Sequence, residues 1–129
     1  MYYTSYGVLR YSSNPHKLIV EVDQGISDFY MSLVPKYVNL RKQAFGAHIS
    51  VIRNEEVPLI ENWGKYDRDS ILFEYENVIY NGELYYWLNA WSPRLEEIRA
   101  ELGMPTTSHI TYSQDGRHKF HITIGNLKK

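Results

Sequence analysis

Near the C-terminal end of the chain, apolar Phe120, Ile122 and Ile124 alternate with Lys119, His121 and Thr123. No other sequence feature limits the fold as much. A period of two means a strand with one buried and one displayed side, because strand side chains point to opposite faces in turn. His121 and Thr123 then emerge together on one face while Phe120, Ile122 and Ile124 anchor the other. Ala47-His48-Ile49-Ser50-Val51 has the same pattern. A histidine and a hydroxyl displayed on a rigid strand make half of a phosphate site. The two halves are expected to face each other across one cleft.

The rest of the chain supplies a sheet to hold those strands. Tyr6 to Tyr11 and Leu18 to Val22 read as strands, separated by the turn Ser12-Ser13-Asn14-Pro15. Ile26, Phe29, Tyr30, Leu33 and Val34 then fall on one helical stripe, which Pro35 should end. Pro35 to Gly46 is an irregular basic loop, and Ala47 to Arg53 is the first motif strand. Glu55 to Ser70 has no regular period and reads as a long loop of the kind that often serves as a lid. Ile71 to Tyr80 and Leu84 to Leu88 form a hairpin, with Asn81-Gly82 as the expected two-residue turn. That turn would pair Ile79 with Leu84, Asn77 with Tyr86 and Tyr75 with Leu88. Ser92-Pro93 opens a second helix with the stripe Leu95, Ile98 and Leu102, stopped by Gly103 and Pro105. The expected architecture is one α+β domain over residues 1–129 with a mostly antiparallel sheet. Both helices should pack on one face, and a cleft should open on the other.

One repeat of the motif needs sorting. His109-Ile110-Thr111 has the same spelling as His121-Ile122-Thr123. With Asp115-Gly116 as a two-residue turn, Ile110 opposes His121 and Ser108 opposes Thr123. His109 and Thr111 then share the side of Phe120 and Ile122, so His121 and Thr123 are taken as functional and His109 as structural. A three-residue turn would reverse the assignment.

Composition narrows the ligand. The chain carries 12 Tyr, 3 Trp and 4 Phe, enough for both strand packing and stacking on bases. Its net charge of −1 gives no long-range attraction for a polyanion, so a nucleotide ligand should be small and held locally, and no long nucleic acid is expected. The absence of cysteine excludes a thiolate nucleophile and a cysteine zinc site. It fits a reducing cytoplasm, and no apolar run of membrane length occurs. Histidine titrates near neutrality, so two imidazoles flanking a phosphodiester can divide acid and base roles. Ser50 and Thr123 can hydrogen-bond the non-bridging oxygens, and no metal or other cofactor is required. Candidate ligand contacts are Tyr6, Trp63, Tyr85, Trp87 and Lys119. Each has a packing alternative: Tyr85 and Trp87 can cover Val78 and Tyr80, Trp63 can tuck its loop onto the core, Tyr6 can simply pack, and Lys119 can be an edge lysine.

His48-Ile49-Ser50-Val51 and His121-Ile122-Thr123-Ile124 resemble the paired His-hydrophobic-Ser/Thr-hydrophobic motifs of the 2H phosphoesterase superfamily, the LigT-like cyclic phosphodiesterases. The resemblance implies a bilobal, pseudo-twofold α+β fold with a central cleft and metal-independent action. Within the superfamily, the early tyrosines and the ending Phe-His-Ile-Thr-Ile-Gly-Asn are most similar to the phage anti-CBASS nucleases. Those degrade cyclic di- and trinucleotide messengers and would act in the host cytoplasm. There a ribose 2′-hydroxyl attacks the adjacent phosphodiester, and the 2′,3′-cyclic phosphate is then opened. The chain departs from that subgroup in lacking a basic cleft signature.

Two other phosphate readings stand beside cyclic oligonucleotide cleavage: a 2′,3′-cyclic phosphodiesterase acting on RNA ends, and a sponge that binds a cyclic nucleotide without cleaving it. A protein-interaction domain with exposed aromatics predicts no phosphate in the cleft. A metallohydrolase would need more ligands than two histidines supply.

Overall fold

A computed structural model of the chain describes residues 2–53, 55–105 and 120–128. Its strands are β1 (Tyr2–Ser12), β2 (Lys17–Glu21), β3 (His48–Arg53), β4 (Ser70–Asn81), β5 (Tyr85–Trp91) and β6 (Phe120–Asn126). Its helices are α1 (Gln24–Ser32) and α2 (Pro93–Glu101), with short 3-10 turns at Lys36–Val38 and Ile60–Asn62. The second His-x-Thr triplet at His109 and Thr111, the Asp115-Gly116 turn and Lys119 lie outside the described residues.

Every strand pairing is antiparallel, and the sheet closes on itself in the order β1-β2-β3-β6-β5-β4, with β4 returning to β1. That order is unchanged when β1, β2 and β3 are exchanged with β4, β5 and β6. Each half is strand, strand, helix, strand. The fold is therefore two like lobes related by a pseudo-twofold, and the two motif strands meet at its centre. The helices lie crosswise on the outside, α1 against β6 and α2 against β3. Ser27 Oγ of α1 donates to the Ile124 carbonyl at 3.4 Å, and Arg99 Nη1 of α2 donates to the Val51 carbonyl at 2.8 Å. Each brace lands three residues past a motif histidine, on the strand of the other lobe. Ile49, Val51, Phe120, Ile122 and Ile124 are buried on this outer side with Leu95, Ile98 and Leu102. The opposite side of β3 and β6 is left for the cleft.

β1 is longer than its alternation suggested because it serves both lobes. Tyr2 to Val8 pairs β4, and Val8 to Ser12 pairs β2. Gly7 sits at the changeover, where a Cβ would lie 2.4 Å from Val20 Cγ1 and 2.7 Å from the Glu21 carbonyl oxygen. Phe29 in α1 and Leu33 at its C-cap are both 57% exposed, whereas Ser27 and Tyr30 are buried. The helix is rotated from the expected stripe so that a small hydroxyl residue meets the backbone of β6. In α2, the Ser92 hydroxyl does not cap the helix but donates to the Leu72 carbonyl at 2.9 Å, tying the helix start to β4. The other end closes as anticipated: Gly103 takes φ +78°, and the Met104 and Gly103 amides bond the Arg99 and Ala100 carbonyls.

The first hairpin turns two residues later than expected. Asn81 pairs Tyr86, Tyr80 pairs Trp87 and Ile79 pairs Leu88, so Glu83 and Leu84 form the tip. Gly82 does not take a positive φ there. The adopted register stacks Tyr80 on Trp87, with ring centroids 6.3 Å apart and planes at 22°. The Asn81-Gly82 turn would instead have set Trp87 against Glu76. A four-residue span of β4 against two of β5, between Tyr75 and Ile79, then takes up half of the slip without changing faces.

Candidate active site

β3 and β6 are joined at the pair Ile49–Ile122. Antiparallel geometry then sets His48 across from Thr123 and Ser50 across from His121. The two imidazoles are diagonal neighbours, a relation that spans about 7–8 Å in regular pairing. His48, Ser50, His121 and Thr123 line a single cavity of about 270 Å³, together with Arg53, Tyr85 and Trp87.

The backbone before β3 fixes His48. Gly46, at φ +77°, turns its carbonyl back to the imidazole, and Nδ1 lies 3.0 Å from that oxygen. A carbonyl only accepts, so Nδ1 carries the proton and Nε2 is left for a ligand. Gln24, the first residue of α1, accepts from the Ala47 amide at 2.9 Å and so ties the entry of β3 to the helix. Glu21 is directly opposite His48 on β2, and its carboxylate is engaged by Arg10 Nε at 3.1 Å.

β5 supports His121. Trp87 pairs Thr123 and Asn89 pairs His121. The Trp87 ring lies 5.3 Å from the His121 ring at a tilt of 35°, and its Nε1 donates to Asn89 Oδ1 at 3.1 Å. Trp87 is thus held between Tyr80 on one side and the imidazole on the other. Lys128 Nζ lies 5.1 Å above the Tyr85 ring. Tyr85 and Trp87 form an aromatic wall beside two hydroxyls and two imidazoles, an arrangement suited to a base attached to a phosphate.

Tyr6 and Trp63 are not part of this wall. Tyr6, on β1, opposes Leu72 on β4 and is 66% exposed. By register it shares the inner face of the sheet with His48, since Val8 opposes Glu21 and Glu21 opposes His48. Trp63 meets Tyr11 and His16 edge-on, at 5.1 and 4.9 Å. Its loop is anchored elsewhere: Asn62 Nδ2 donates to the Glu101 carbonyl at 2.8 Å, the Tyr66 hydroxyl bonds the Glu101 carboxylate, and Arg94 covers the Tyr66 ring at 4.5 Å. The Glu55–Ser70 segment therefore packs on α2 and β1 and lines no part of the histidine cavity. Arg53 is the residue that sequence reasoning missed. The signal was the consecutive apolar pair Val51-Ile52, which interrupts the alternation just before it.

A larger cavity of about 610 Å³ lies beyond the end of α1, between Met31, Pro35 and Leu40, and holds no histidine. Among the described residues no three histidine or carboxylate side chains converge on a cation site, and no helix is long and apolar enough to cross a membrane.

Residues 22–129 match the family described as 2H-SAK, Swiss Army Knife, 2H phosphoesterase domain. No curated protein and no solved structure gives a match.

Proposed function

The chain belongs to the 2H phosphoesterase domain family, and from that premise we propose that it is a metal-independent phosphodiesterase of cyclic oligonucleotides, with His48 and His121 as its acid–base pair. The observation that carries the reading is one cavity lined by both imidazoles and both hydroxyls. The neutral imidazole takes the proton of the attacking ribose hydroxyl as the new P–O bond forms. The protonated one delivers its proton to the departing oxygen as the old P–O bond breaks. Opening of the resulting 2′,3′-cyclic phosphate by water uses the same two groups with their roles exchanged. Ser50 and Thr123 donate to the non-bridging oxygens, where charge accumulates. The base of the reacting nucleotide stacks on Trp87 and Tyr85. The cavity is small and open, so the rest of a cyclic ligand extends beyond it over the inner face of the sheet. An anti-CBASS role in a phage-infected cell is the biological setting of this activity.

The test is incubation with cyclic dinucleotides, cyclic trinucleotides and 2′,3′-cyclic mononucleotides in EDTA, followed by chromatography. Cleavage of the cyclic oligonucleotides is expected. His48→Ala and His121→Ala are each expected to lower kcat by about 10²- to 10⁴-fold, with dissociation constants changed far less. Binding of intact ligand without turnover by the wild type would convert the enzyme into a sponge.

A further inference from the structure

Arg53 reaches the cleft because β3 breaks its own alternation. His48 and Ser50 face inward, so a regular strand would continue with Ile52 inward and Arg53 behind the sheet. Ile52 and Val51 are instead both buried, at 0% and 1% exposure. Ile19 pairs Ser50 while the next residue of β2, Leu18, pairs Ile52. Val51 is therefore the extra residue of a β-bulge, and a bulge re-aims the side chains beyond it. The bulge is clamped from behind. Arg99, wholly buried, donates from Nη1 to the Val51 carbonyl at 2.8 Å and from Nη1 and Nη2 to Glu55 at 3.1 and 2.9 Å. Its Nε donates to the Pro105 carbonyl at 2.6 Å, and Glu55 Oε1 also accepts from the Arg53 amide at 3.4 Å. Buried ion pairs are costly to assemble and weak evidence of stability. This one grips the irregular point of β3 and the backbone of the residue that the irregularity turns.

The Arg53 side chain lines the cavity of His48, Ser50 and His121. Lys17 is directly opposite it on β2, and like charges placed across a ladder repel. Among the described residues neither cation has a carboxylate partner. An anion bound between Arg53, at the end of the cavity, and Lys17, its neighbour on the ladder, would relieve that repulsion. The phosphate between the histidines already has Ser50 and Thr123, and Arg53 is three residues beyond Ser50 at the exposed end of the strand. We infer that Arg53, turned inward by the Val51 bulge and held there by Arg99 and Glu55, binds a second, flanking phosphate and so selects cyclic oligonucleotides over 2′,3′-cyclic mononucleotides. Arg53 is a specificity residue; Arg99 and Glu55 are positioning residues. The inference rests on the phosphodiesterase reading above.

The test compares kcat/KM for a 3′,3′-cyclic dinucleotide and for 2′,3′-cyclic AMP in wild type, Arg53→Gln, Glu55→Gln and the double variant. The preference for the dinucleotide should fall about 10- to 100-fold in Arg53→Gln, the loss of a charged hydrogen bond, mainly through KM. Arg53→Lys should restore part of it. Glu55→Gln should shift the same ratio in the same direction and add little in the Arg53→Gln background. Equal losses on both substrates, or an unchanged ratio, would overturn the inference; Arg53→Gln, at the surface, decides this even if Glu55→Gln folds poorly. If the wild type cleaves neither substrate, the enzyme reading fails. Calorimetric titration of the same two ligands then decides Arg53 separately: weakened binding confined to the dinucleotide supports it, and equal weakening refutes it.

Discussion

Each imidazole of the cleft has a neighbour that sets its orientation. For His48 it is the Gly46 carbonyl, and for His121 it is the face of Trp87. Trp87→Ala should therefore do two things: remove a stacking surface of about 1–3 kcal/mol per base and take away one contact that orients the His121 ring. The expected outcome is a raised KM on nucleotides together with a lowered kcat. Trp87→Phe should recover most of the kcat, and steady-state kinetics on both variants checks it. A second residue reports on the fold rather than the site. Burial pushes the Tyr11 phenol up to about 12 from an ordinary 10.0, against the opposing hydrogen bond from the Tyr66 backbone. The folded state thus prefers the neutral phenol. That stabilisation is complete below about pH 10 and disappears as pH rises through about 12. Urea unfolding should show a loss of stability across this window that is smaller in Tyr11→Phe.

At the scale of the element, the two motif strands were legible where alternation held and opaque where it stopped. His48, Ser50, His121 and Thr123 follow from a period of two, and the structure gathers all four. Arg53 does not, because a single inserted residue reverses parity, and only the Val51-Ile52 pair marks it. The first hairpin was legible in its faces but not its register. Asn81-Gly82 is a strong local turn signal, yet the stack of Tyr80 on Trp87 is a nonlocal contact and it moves the tip to Glu83-Leu84. Trp63 and Tyr66 could not be placed from sequence because their partners, Tyr11, His16, Arg94 and Glu101, lie on distant elements. β6 depends on a further close contact. A Cβ at Gly125 would fall 2.5 Å from Leu40 Cγ and 2.8 Å from the Arg41 carbonyl oxygen, where the loop after α1 crosses the strand. Gly125→Ala is expected to cost about 1–3 kcal/mol, the usual penalty of overpacking, measured as a shift in the denaturation midpoint.

The whole molecule is built from two copies of strand, strand, helix, strand. The order of elements was readable from periodicity, but closure of the sheet was not, since it depends on β1 pairing β4 across the whole of the intervening chain, residues 13–69. The crosswise braces follow from that closure. Arg99→Met would break the buried ion pair with the Glu55 carboxylate, and a loss of about 3–5 kcal/mol is expected. Arg99→Met combined with Glu55→Leu should lose less, as thermal denaturation of the pair would show. The two seams between lobes are unequal. Seven residue pairs join β1 to β4, whereas among the described residues one pair, Ile49–Ile122, joins β3 to β6. A ligand gripped by His48 and Ser50 on one side and His121 and Thr123 on the other would act as an added rung across the weaker seam. Occupancy should then be visible as slower amide exchange along β3 and β6, while β1 and β4 keep the protection they already have.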